Sequence, residues 1–346
     1  MRHPTFPVGQ RGARIGSARA AAFFVAGLAL AACDMVTVPA TTLAPKSDFG
    51  RVSYDIFLSI FWWDAGIFLV VSAVLVGIIF RFRERDPRPL PAQVRGNPKL
   101  ELAWTVAPVV VLTLIAFPTV RAVFRTQTTP PPAALRVRVT GHQWWWEFEY
   151  PELGIRTATE LHLPVGRPVG LELRSPDVIH SFWIPQLGGK RDTPPGKVNR
   201  IVLTPTTPGR YYGQCAEFCG ASHANMRMLA VVEAPAEFDA WVARQRAPAA
   251  TPADGSPAAA GLRAFTTGAC VGCHTITGVS AGVVGPDLTH VGSRTTIAGG
   301  MLPNTPGTLT AWLADPPGVK PGSIMPDLHL SVADVRALTE YLATLR

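Results

Sequence analysis

The sequence predicts a multidomain protein with an N-terminal two-helix transmembrane hairpin, a β-sandwich domain and a C-terminal all-α domain. Three observations support this prediction. Two apolar segments can each cross a bilayer as a helix, short runs of alternating apolar and polar residues begin at Leu135, and apolar residues recur at helical spacing near the C-terminus. A chain of 346 residues has room for two or three domains of roughly 100 to 200 residues each.

Residues 1–32 are predicted to be a signal peptide of the lipoprotein type. Arginines precede the short apolar run Ala20–Ala32, which ends in the sequence Leu-Ala-Ala before Cys33. This run is too short to span a bilayer and is flanked as export signals are. It resembles a bacterial lipoprotein box, which implies that Cys33 is lipidated and becomes the mature N-terminus. An ordinary export signal or a retained helix, in either case with an incidental cysteine, is the alternative.

The hairpin is predicted over residues 50–125, where Ile56–Phe80 and Trp104–Val120 each approach the roughly 20 apolar residues that a membrane-spanning helix needs. The stretch Arg81–Glu101 between them carries six basic residues against three acidic ones. Because basic loops stay on the cytoplasmic side, this loop is expected inside and everything after Arg121 outside. The sequence therefore predicts a multi-pass protein of the bacterial inner membrane, with its folded domains on the periplasmic, extracytoplasmic side.

The net charge of +8 does not indicate a nucleic-acid partner, because the excess lies outside the folded domains. Residues 133–235 hold eleven basic and nine acidic residues, and residues 259–346 hold five of each. The remaining positive charge belongs to the N-terminal arginines and the loop of the hairpin. We therefore expect a membrane partner and no nucleic acid.

The β domain is predicted over residues 133–236. Leu135–Val139, Trp144–Tyr150 and Val169–Leu173 are short runs divided by Gly and Pro turns, and most of their residues alternate between apolar and polar. Such runs are typical of antiparallel strands with one buried face. About 100 residues of this kind form a small sandwich or barrel.

A linker is predicted over residues 247–260, which are rich in Pro and Ala and show no apolar periodicity. The C-terminal domain follows over residues 261–346. Its last stretch, Val332–Leu345, places apolar residues at helical spacing. This domain is therefore expected to be small and mostly helical.

A haem-attachment motif lies in the C-terminal domain. Cys270 and Cys273 are separated by two residues and followed directly by His274. In this arrangement two thioethers hold the porphyrin while the adjacent imidazole ligates the iron. A redox dithiol or half of a zinc site are the alternatives, and the sequence contains no second C-x-x-C to complete a zinc site.

A methionine is the expected second iron ligand, because a thioether favours the reduced state of an electron-carrying haem. Met325 is preferred, since it lies in a Gly-Ser-Ile-Met-Pro loop just before the final helix, and Met301 is the competing candidate. The Gly285–Leu288 turn and this loop resemble class I cytochrome c. His290 is expected to be a surface or packing residue.

A second cluster of soft ligands lies near the end of the β domain. Cys215, Cys219, His223 and Met226 fall within one short loop, and such a density of sulfur and imidazole selects copper. The second thiol permits both sulfurs to bridge a pair of copper ions, which then requires another imidazole. His180, beyond the predicted strand at Val169, is the candidate. A Cys215–Cys219 disulfide in an exported protein is the alternative.

These motifs resemble subunit II of the haem-copper cytochrome c oxidases. The resemblance is carried by the Cys215–Met226 loop, the Asp177–Phe182 segment and Gly141–Trp146, and it extends from about residue 50 to the C-terminus. The hairpin and the appended haem domain are similar to the caa-type branch. The resemblance implies a cupredoxin-like fold for the β domain. One departure is Trp145, where many relatives have Tyr.

The resemblance also implies roles for individual residues. A dinuclear copper centre, CuA, would use the two thiolates as bridges, two terminal imidazoles, a weak thioether ligand and one backbone carbonyl. In this chain those groups belong to Cys215, Cys219, His180, His223, Met226 and Glu217.

Three further roles come from the resemblance alone. The Glu217 side chain would reach a magnesium ion at the interface with subunit I, Trp144 would be the point where electrons enter, and Glu101 would lie at the mouth of a proton-uptake path. Each has a plain alternative, which is a solvated carboxylate for Glu217, a packing aromatic for Trp144 and a helix cap for Glu101.

The implied function is that of subunit II of a respiratory cytochrome c oxidase. Electrons from cytochrome c or a similar donor would pass through haem c and CuA to subunit I, which reduces oxygen to water while protons are translocated. Subunits I and III are the expected partners. The alternatives are a free-standing electron shuttle to another reductase, a copper-delivery protein, and a quinol-oxidising relative, in which the copper ligands are expected to be lost.

Overall fold

The structure is a computed structural model that describes residues 39–83 and 96–346. The predicted signal peptide, Cys33 and the central part of the basic loop lie outside the described residues. Within the described residues, two long helices, a two-sheet β domain and a helical C-terminal domain follow one another along the chain. The predicted fold class is therefore confirmed.

The hairpin consists of helices α1 (Asp48–Arg81) and α2 (Pro98–Thr126), both long and apolar enough to cross a membrane. At 1.5 Å per residue the 29 residues of α2 extend about 43 Å, more than the hydrocarbon core of a bilayer. The side chains of Ser47 and Asn97 accept backbone hydrogen bonds at the two helix N-termini. Both helices therefore extend beyond the apolar segments seen in the sequence.

The first turn of α1 is fixed to the β domain. Ser47 donates its hydroxyl to the Leu187 carbonyl, and the Thr204 N–H donates to Asp48 Oδ1 at 2.6 Å. The ring of Phe49 packs so closely on Gly188 that an added Cβ would lie 3.1 Å from it. These contacts tie the position of the β domain to the membrane helix.

The β domain is a sandwich of two five-stranded sheets, in the orders β3-β2-β1-β5-β8 and β4-β10-β9-β6-β7. The strands are β1 (Leu135–His142), β2 (Trp145–Tyr150), β3 (Ile155–Ala158), β4 (Glu160–Pro164), β5 (Val169–Arg174), β6 (His180–Trp183), β7 (Arg191–Thr193), β8 (Asn199–Leu203), β9 (Gly209–Cys215) and β10 (Arg227–Glu233). Most neighbouring strands are antiparallel, whereas β1 pairs with β5 and β4 pairs with β10 in parallel.

Alternating side chains fill the space between the sheets, as the sequence pattern predicts. Val137, Val139, Trp146 and Phe148 are fully buried. A helix that the sequence did not reveal, α3 (Pro235–Arg246), then packs Phe238, Trp241 and Val242 onto this core. The β domain thus continues past its predicted end at residue 236.

The C-terminal domain contains helices α4 (Pro257–Thr267), α5 (Cys270–Cys273), α6 (Pro306–Ala314), α7 (Pro316–Val319) and α8 (Val332–Thr344). Two short hairpins lie between them, one pairing Thr275–Ile276 with Ser280–Ala281 and the other pairing Thr296–Ile297 with Leu302–Pro303. Helices α4 and α8 cross at Gly261, where an added Cβ would lie 2.0 Å from the Ala337 carbonyl oxygen. Only glycine allows so close a crossing.

The predicted linker is too long at its C-terminal end. Helix α4 begins at Pro257, because Ser256 accepts a hydrogen bond from the Ala259 N–H and proline is well suited to the first helical position. Ala259 is buried against the rest of the domain. The alanines that lack periodicity in the sequence therefore form the first turn of a packed helix.

Candidate metal centre and haem pocket

The predicted copper residues meet at one end of the sandwich. His180 begins β6 and Cys215 ends β9, and the pairing of Phe182 with Cys215 makes these strands neighbours. The loop between β9 and β10 returns Cys219 and Met226 to the same place. Sheet pairing thus brings together residues that are 35 positions apart in the chain.

Four sulfur and nitrogen contacts define the cluster. The Cys215 and Cys219 Sγ atoms lie 3.7 Å apart, far beyond the roughly 2.05 Å of a disulfide bond. Cys215 Sγ is 3.9 Å from His180 Nδ1, and Cys219 Sγ is 3.5 Å from His223 Nδ1. Met226 Sδ lies 3.9 Å from Cys219 Sγ. Each cysteine sulfur therefore lies close to one imidazole, and Met226 Sδ lies beside the Cys219 sulfur.

The centre is also closed by backbone and shielded from water. The Glu217 carbonyl oxygen lies 3.2 Å from Cys215 Sγ. His180 and Met226 are fully buried, and both cysteines are nearly so. A hydrogen bond from the Cys219 thiol lowers the pKa of Cys215, which favours one thiolate in the pair. Buried soft donors of this kind suit copper.

Asp177 fixes the orientation of His180. Its Oδ1 lies 2.8 Å from His180 Nε2, which leaves Nδ1 pointing at the sulfurs. Burial opposes the charge on this carboxylate, but hydrogen bonds from His180 and from the Val178 and Gln143 backbone hold the pKa of Asp177 well below its usual range. The sequence pattern did not single out Asp177, although its position three residues before a candidate ligand was a usable signal.

Glu217 and its neighbour Phe218 turn outward from the copper loop. The Glu217 side chain is exposed, and Phe218 is 77% exposed beside the ring of His223. The carboxylate and the copper-loop carbonyl of the same residue thus face in different directions. This arrangement leaves the Glu217 side chain available to another subunit.

The haem-attachment residues line a cavity of about 290 Å³ that lies between the C-terminal domain and the β domain. Cys270 and Cys273 lie at its wall with His274, whose Nδ1 is 2.8 Å from the Pro286 carbonyl oxygen. Donation from Nδ1 leaves Nε2 free for iron, and burial lowers the pKa of His274, which keeps the imidazole neutral. Two thiols, an oriented neutral imidazole and apolar walls fit a covalent haem.

Met325 lines the same cavity, whereas Met301 is absent from its lining. His290 is buried with Nδ1 3.1 Å from the Arg346 carbonyl oxygen, in keeping with a packing role. Arg294, which sequence reasoning missed, also lines the cavity, and its Nη2 donates to the Asp287 carbonyl oxygen. A buried guanidinium at this wall can meet an anionic group.

Trp144 forms the boundary between the two sites. It lines the haem cavity, is 9% exposed, and donates its indole N–H to the Cys219 carbonyl oxygen at 2.9 Å. A hydrogen bond at the indole is what a buried tryptophan requires. One side chain therefore contacts the haem pocket and the copper loop together.

Glu101 lies in the first turn of α2, and its Oε1 accepts the Asn97 backbone N–H at 3.2 Å. This is the geometry of a helix cap, the plain alternative for this residue. The side chain is exposed at the end of α2 that is far from the β domain. The contact is compatible with capping and with a further role at that surface.

Three parts of the chain match family models. Residues 54–122 match the model described as cytochrome c oxidase subunit II, transmembrane domain. Residues 154–234 match the model for the periplasmic domain of the same subunit, and residues 258–346 match cytochrome c. The three matches follow the hairpin, the sandwich and the haem domain in order.

Curated relatives extend over most of the chain. Cytochrome c oxidase subunit 2 of Alkalihalophilus pseudofirmus is 37% identical over 88% of this chain and 91% of its own length. The subunit of the same name from Bacillus sp. strain PS3 is 37% identical over 77% of this chain and 80% of its own length. Quinol oxidase subunit 2 of Bacillus cereus is 30% identical over 65% of this chain and 79% of its own length.

Proposed function

This chain belongs to the cytochrome c oxidase subunit II family, and from that premise we propose that its described residues hold a dinuclear copper centre and a covalent haem c placed for electron transfer between them. The family makes the chain the subunit through which electrons enter a terminal oxidase, with subunit I as partner. Copper and haem are the cofactors that the family implies. A free-standing electron shuttle is not favoured.

The copper proposal rests on the arrangement of six residues. Two thiolates, two imidazoles, one thioether and one backbone carbonyl would hold the pair of copper ions. These groups belong to Cys215, Cys219, His180, His223, Met226 and Glu217. Retention of every one of them supports cytochrome c, and not a quinol, as the donor class.

Haem c would be attached through Cys270 and Cys273, and His274 and Met325 would ligate its iron. When bound, haem and copper supply one-electron redox chemistry. The chain's contribution is a rigid scaffold, because strands β6 and β9 hold His180 and Cys215 and the Pro286 carbonyl fixes the His274 ring. Such restraint keeps ligand geometry unchanged between oxidation states.

The observation that carries the proposal is Trp144, which lies at the wall of the haem cavity and hydrogen-bonds to the copper loop. Because the haem domain covers this side chain, an external donor would deliver electrons to the haem, and Trp144 would receive them from there. Its role is therefore that of an internal relay between the two sites.

Four finer proposals come from the family resemblance, the lipoprotein-box motif and the charge of the hairpin loop. The exposed Glu217 carboxylate would bind magnesium at the interface with subunit I, and Glu101 would open a proton path at the inner face. Cys33 would be lipidated after removal of residues 1–32. The hairpin would anchor the chain in the bacterial inner membrane with both redox domains outside, in a complex that also contains subunit III.

Trp144→Phe in the assembled oxidase tests the proposed electron route. We expect transfer from haem c to copper to slow by at least about tenfold, because the indole hydrogen bond to the copper loop is lost and precise placement is worth factors of that size or more. Time-resolved absorption after photoreduction of the haem measures the rate. Trp312→Phe, at the wall within the haem domain, is the matched control and should leave the rate unchanged. Equal slowing in both variants would refute the route through Trp144.

Asp177→Ala tests the copper ligands indirectly. Loss of the carboxylate that orients His180 is expected to weaken copper binding by about 10- to 100-fold, the usual cost of removing such a partner. Competition with a copper chelator, followed by metal analysis, measures the change. The chain supplies a control in Asp192→Ala, since that residue is exposed on β7. Unchanged copper retention in Asp177→Ala would contradict the assignment of His180.

A further inference from the structure

Lys320 joins the haem domain to the copper domain. It is the one lysine in residues 261–346, yet it is only 4% exposed. Its Nζ donates to the Trp144 carbonyl oxygen at 2.6 Å and to the Ala298 carbonyl oxygen at 2.9 Å. The first acceptor belongs to the copper domain and the second to the haem domain. A single ammonium group therefore bridges the two.

A buried lysine of this kind carries a cost that must be offset. An ammonium group removed from water is unfavourable unless it is hydrogen-bonded, and burial accordingly lowers the pKa of Lys320 to about 8. Both acceptors are backbone carbonyls, so the contact depends on the position of two backbone segments and not on a mobile carboxylate. Such a contact specifies one relative placement of the domains.

Further contacts on either side of Lys320 fix the same placement. Glu160 of β4 accepts the Thr295 N–H at 2.6 Å and the Thr296 N–H at 3.1 Å. The Arg227 N–H of β10 donates to the Gly299 carbonyl oxygen at 2.8 Å. These are hydrogen bonds of the copper domain with one loop of the haem domain. The interface is therefore polar and directional.

Two glycines show how closely the surfaces approach. A Cβ at Gly299 would lie 2.5 Å from Lys320 Nζ and 2.6 Å from the Trp144 carbonyl oxygen. A Cβ at Gly322 would lie 3.0 Å from the indole ring of Trp144. Both residues also have a positive φ that favours glycine. The haem-domain loops therefore fit against Trp144 without room for a side chain.

We propose that Lys320 is a positioning residue that docks the haem domain on Trp144 and so fixes the haem pocket and the copper site as a permanent pair. The two domains are joined by a linker that ends at Ser256, and the linker by itself leaves their placement open. The Lys320 contact removes that freedom. Its effect on electron transfer rests on the proposed function, whereas its effect on docking does not.

Lys320→Met in the full-length chain within the assembled oxidase tests the docking. Methionine keeps the apolar stem and removes the ammonium, leaving the Trp144 carbonyl without this donor. Hydrogen exchange of the Thr295, Thr296 and Arg227 amides is expected to speed up by about tenfold, the factor that corresponds to one lost hydrogen bond to a charged group. The amides of α8 report whether the haem domain itself stays folded, and their exchange should not change.

Transfer of electrons from haem c to copper is the second measurement on the same variant. It should slow in Lys320→Met, while reduction of the haem by a small external reductant keeps its wild-type rate. Arg336→Met is the matched control, because it removes one positive charge from an exposed site of the same domain. Lys320→Arg, which keeps the donors, should restore much of the protection.

The possible outcomes distinguish the docking role of Lys320 from the proposed electron route through Trp144. Faster exchange at the three interface amides with unchanged electron transfer would support docking and overturn the route through Trp144. Unchanged exchange in Lys320→Met would overturn the docking role. Faster exchange in α8 as well would mean that Lys320 stabilises the haem domain itself, and this result would count against a role limited to docking. Thr295→Val, which removes only a hydroxyl bonded to Glu160, then provides an independent weakening of the interface.

Discussion

Cys219→Ser is expected to abolish the paired copper centre while haem c remains attached. Cys219 Sγ lies between Cys215 Sγ, His223 Nδ1 and Met226 Sδ, so the hydroxyl would remove the one atom that faces all three. A serine oxygen is a poor substitute, because copper in such sites selects soft sulfur ligands. The Cys215–His180 half of the site would bind one copper at most.

Metal analysis and electron paramagnetic resonance of the purified chain measure this result. The wild type should contain two coppers that share one unpaired electron for each haem, and the variant one copper or none. Ala224→Ser places a hydroxyl at an exposed position of the same loop and should preserve the pair. Two shared coppers in Cys219→Ser would disprove the bridging role and with it the proposed route of electrons.

Met325→His is expected to lower the reduction potential of haem c by on the order of 0.2 V, a part of the roughly 0.8 V that axial ligands span. A thioether favours reduced iron, whereas a second imidazole favours the oxidised form. Since Met325 is at the cavity wall, the change would act directly on the iron. Oxidase turnover with a cytochrome c donor should fall, because the haem becomes harder to reduce.

Redox titration of the haem absorption bands measures the potential. Met301→His is the matched control, since Met301 is not among the residues that line the cavity, and its potential should stay within the wild-type range. A large shift in Met301→His together with a wild-type potential in Met325→His would reverse the assignment of the axial ligand.

Much of this molecule could be predicted because its signals are local. A membrane-spanning helix requires about 20 consecutive apolar residues. Apolar residues recur at every second position in a half-buried strand and at every third or fourth position in a helix. The three parts of the fold can therefore be predicted from the apolar pattern along the chain. The two cysteines that attach haem and the histidine that ligates its iron lie within five consecutive residues, because one short motif must hold both the porphyrin and the iron. The copper loop likewise places four soft ligands within twelve residues, Cys215–Met226.

Weak local signals account for two errors of the sequence prediction, which missed helix α3 and made the linker too long. Helix α3 carries only one short apolar repeat, Phe238, Trp241 and Val242, and the first turn of α4 contains only Pro and Ala, so burial in the folded domains decides both helices. Tertiary contact overrides composition in both cases. The linker between the two domains is correspondingly shorter than its Pro and Ala content indicates.

What the sequence by itself determined was the set of groups that can bind metal and haem, together with the elements that carry them. Only the tertiary structure decided which groups meet. It placed His180 across from Cys215 by strand pairing, set Asp177 behind that imidazole, and buried Lys320 against the Trp144 carbonyl. The reason is physical: ligand chemistry is a property of single side chains, whereas distance and burial arise from residues far apart in the chain.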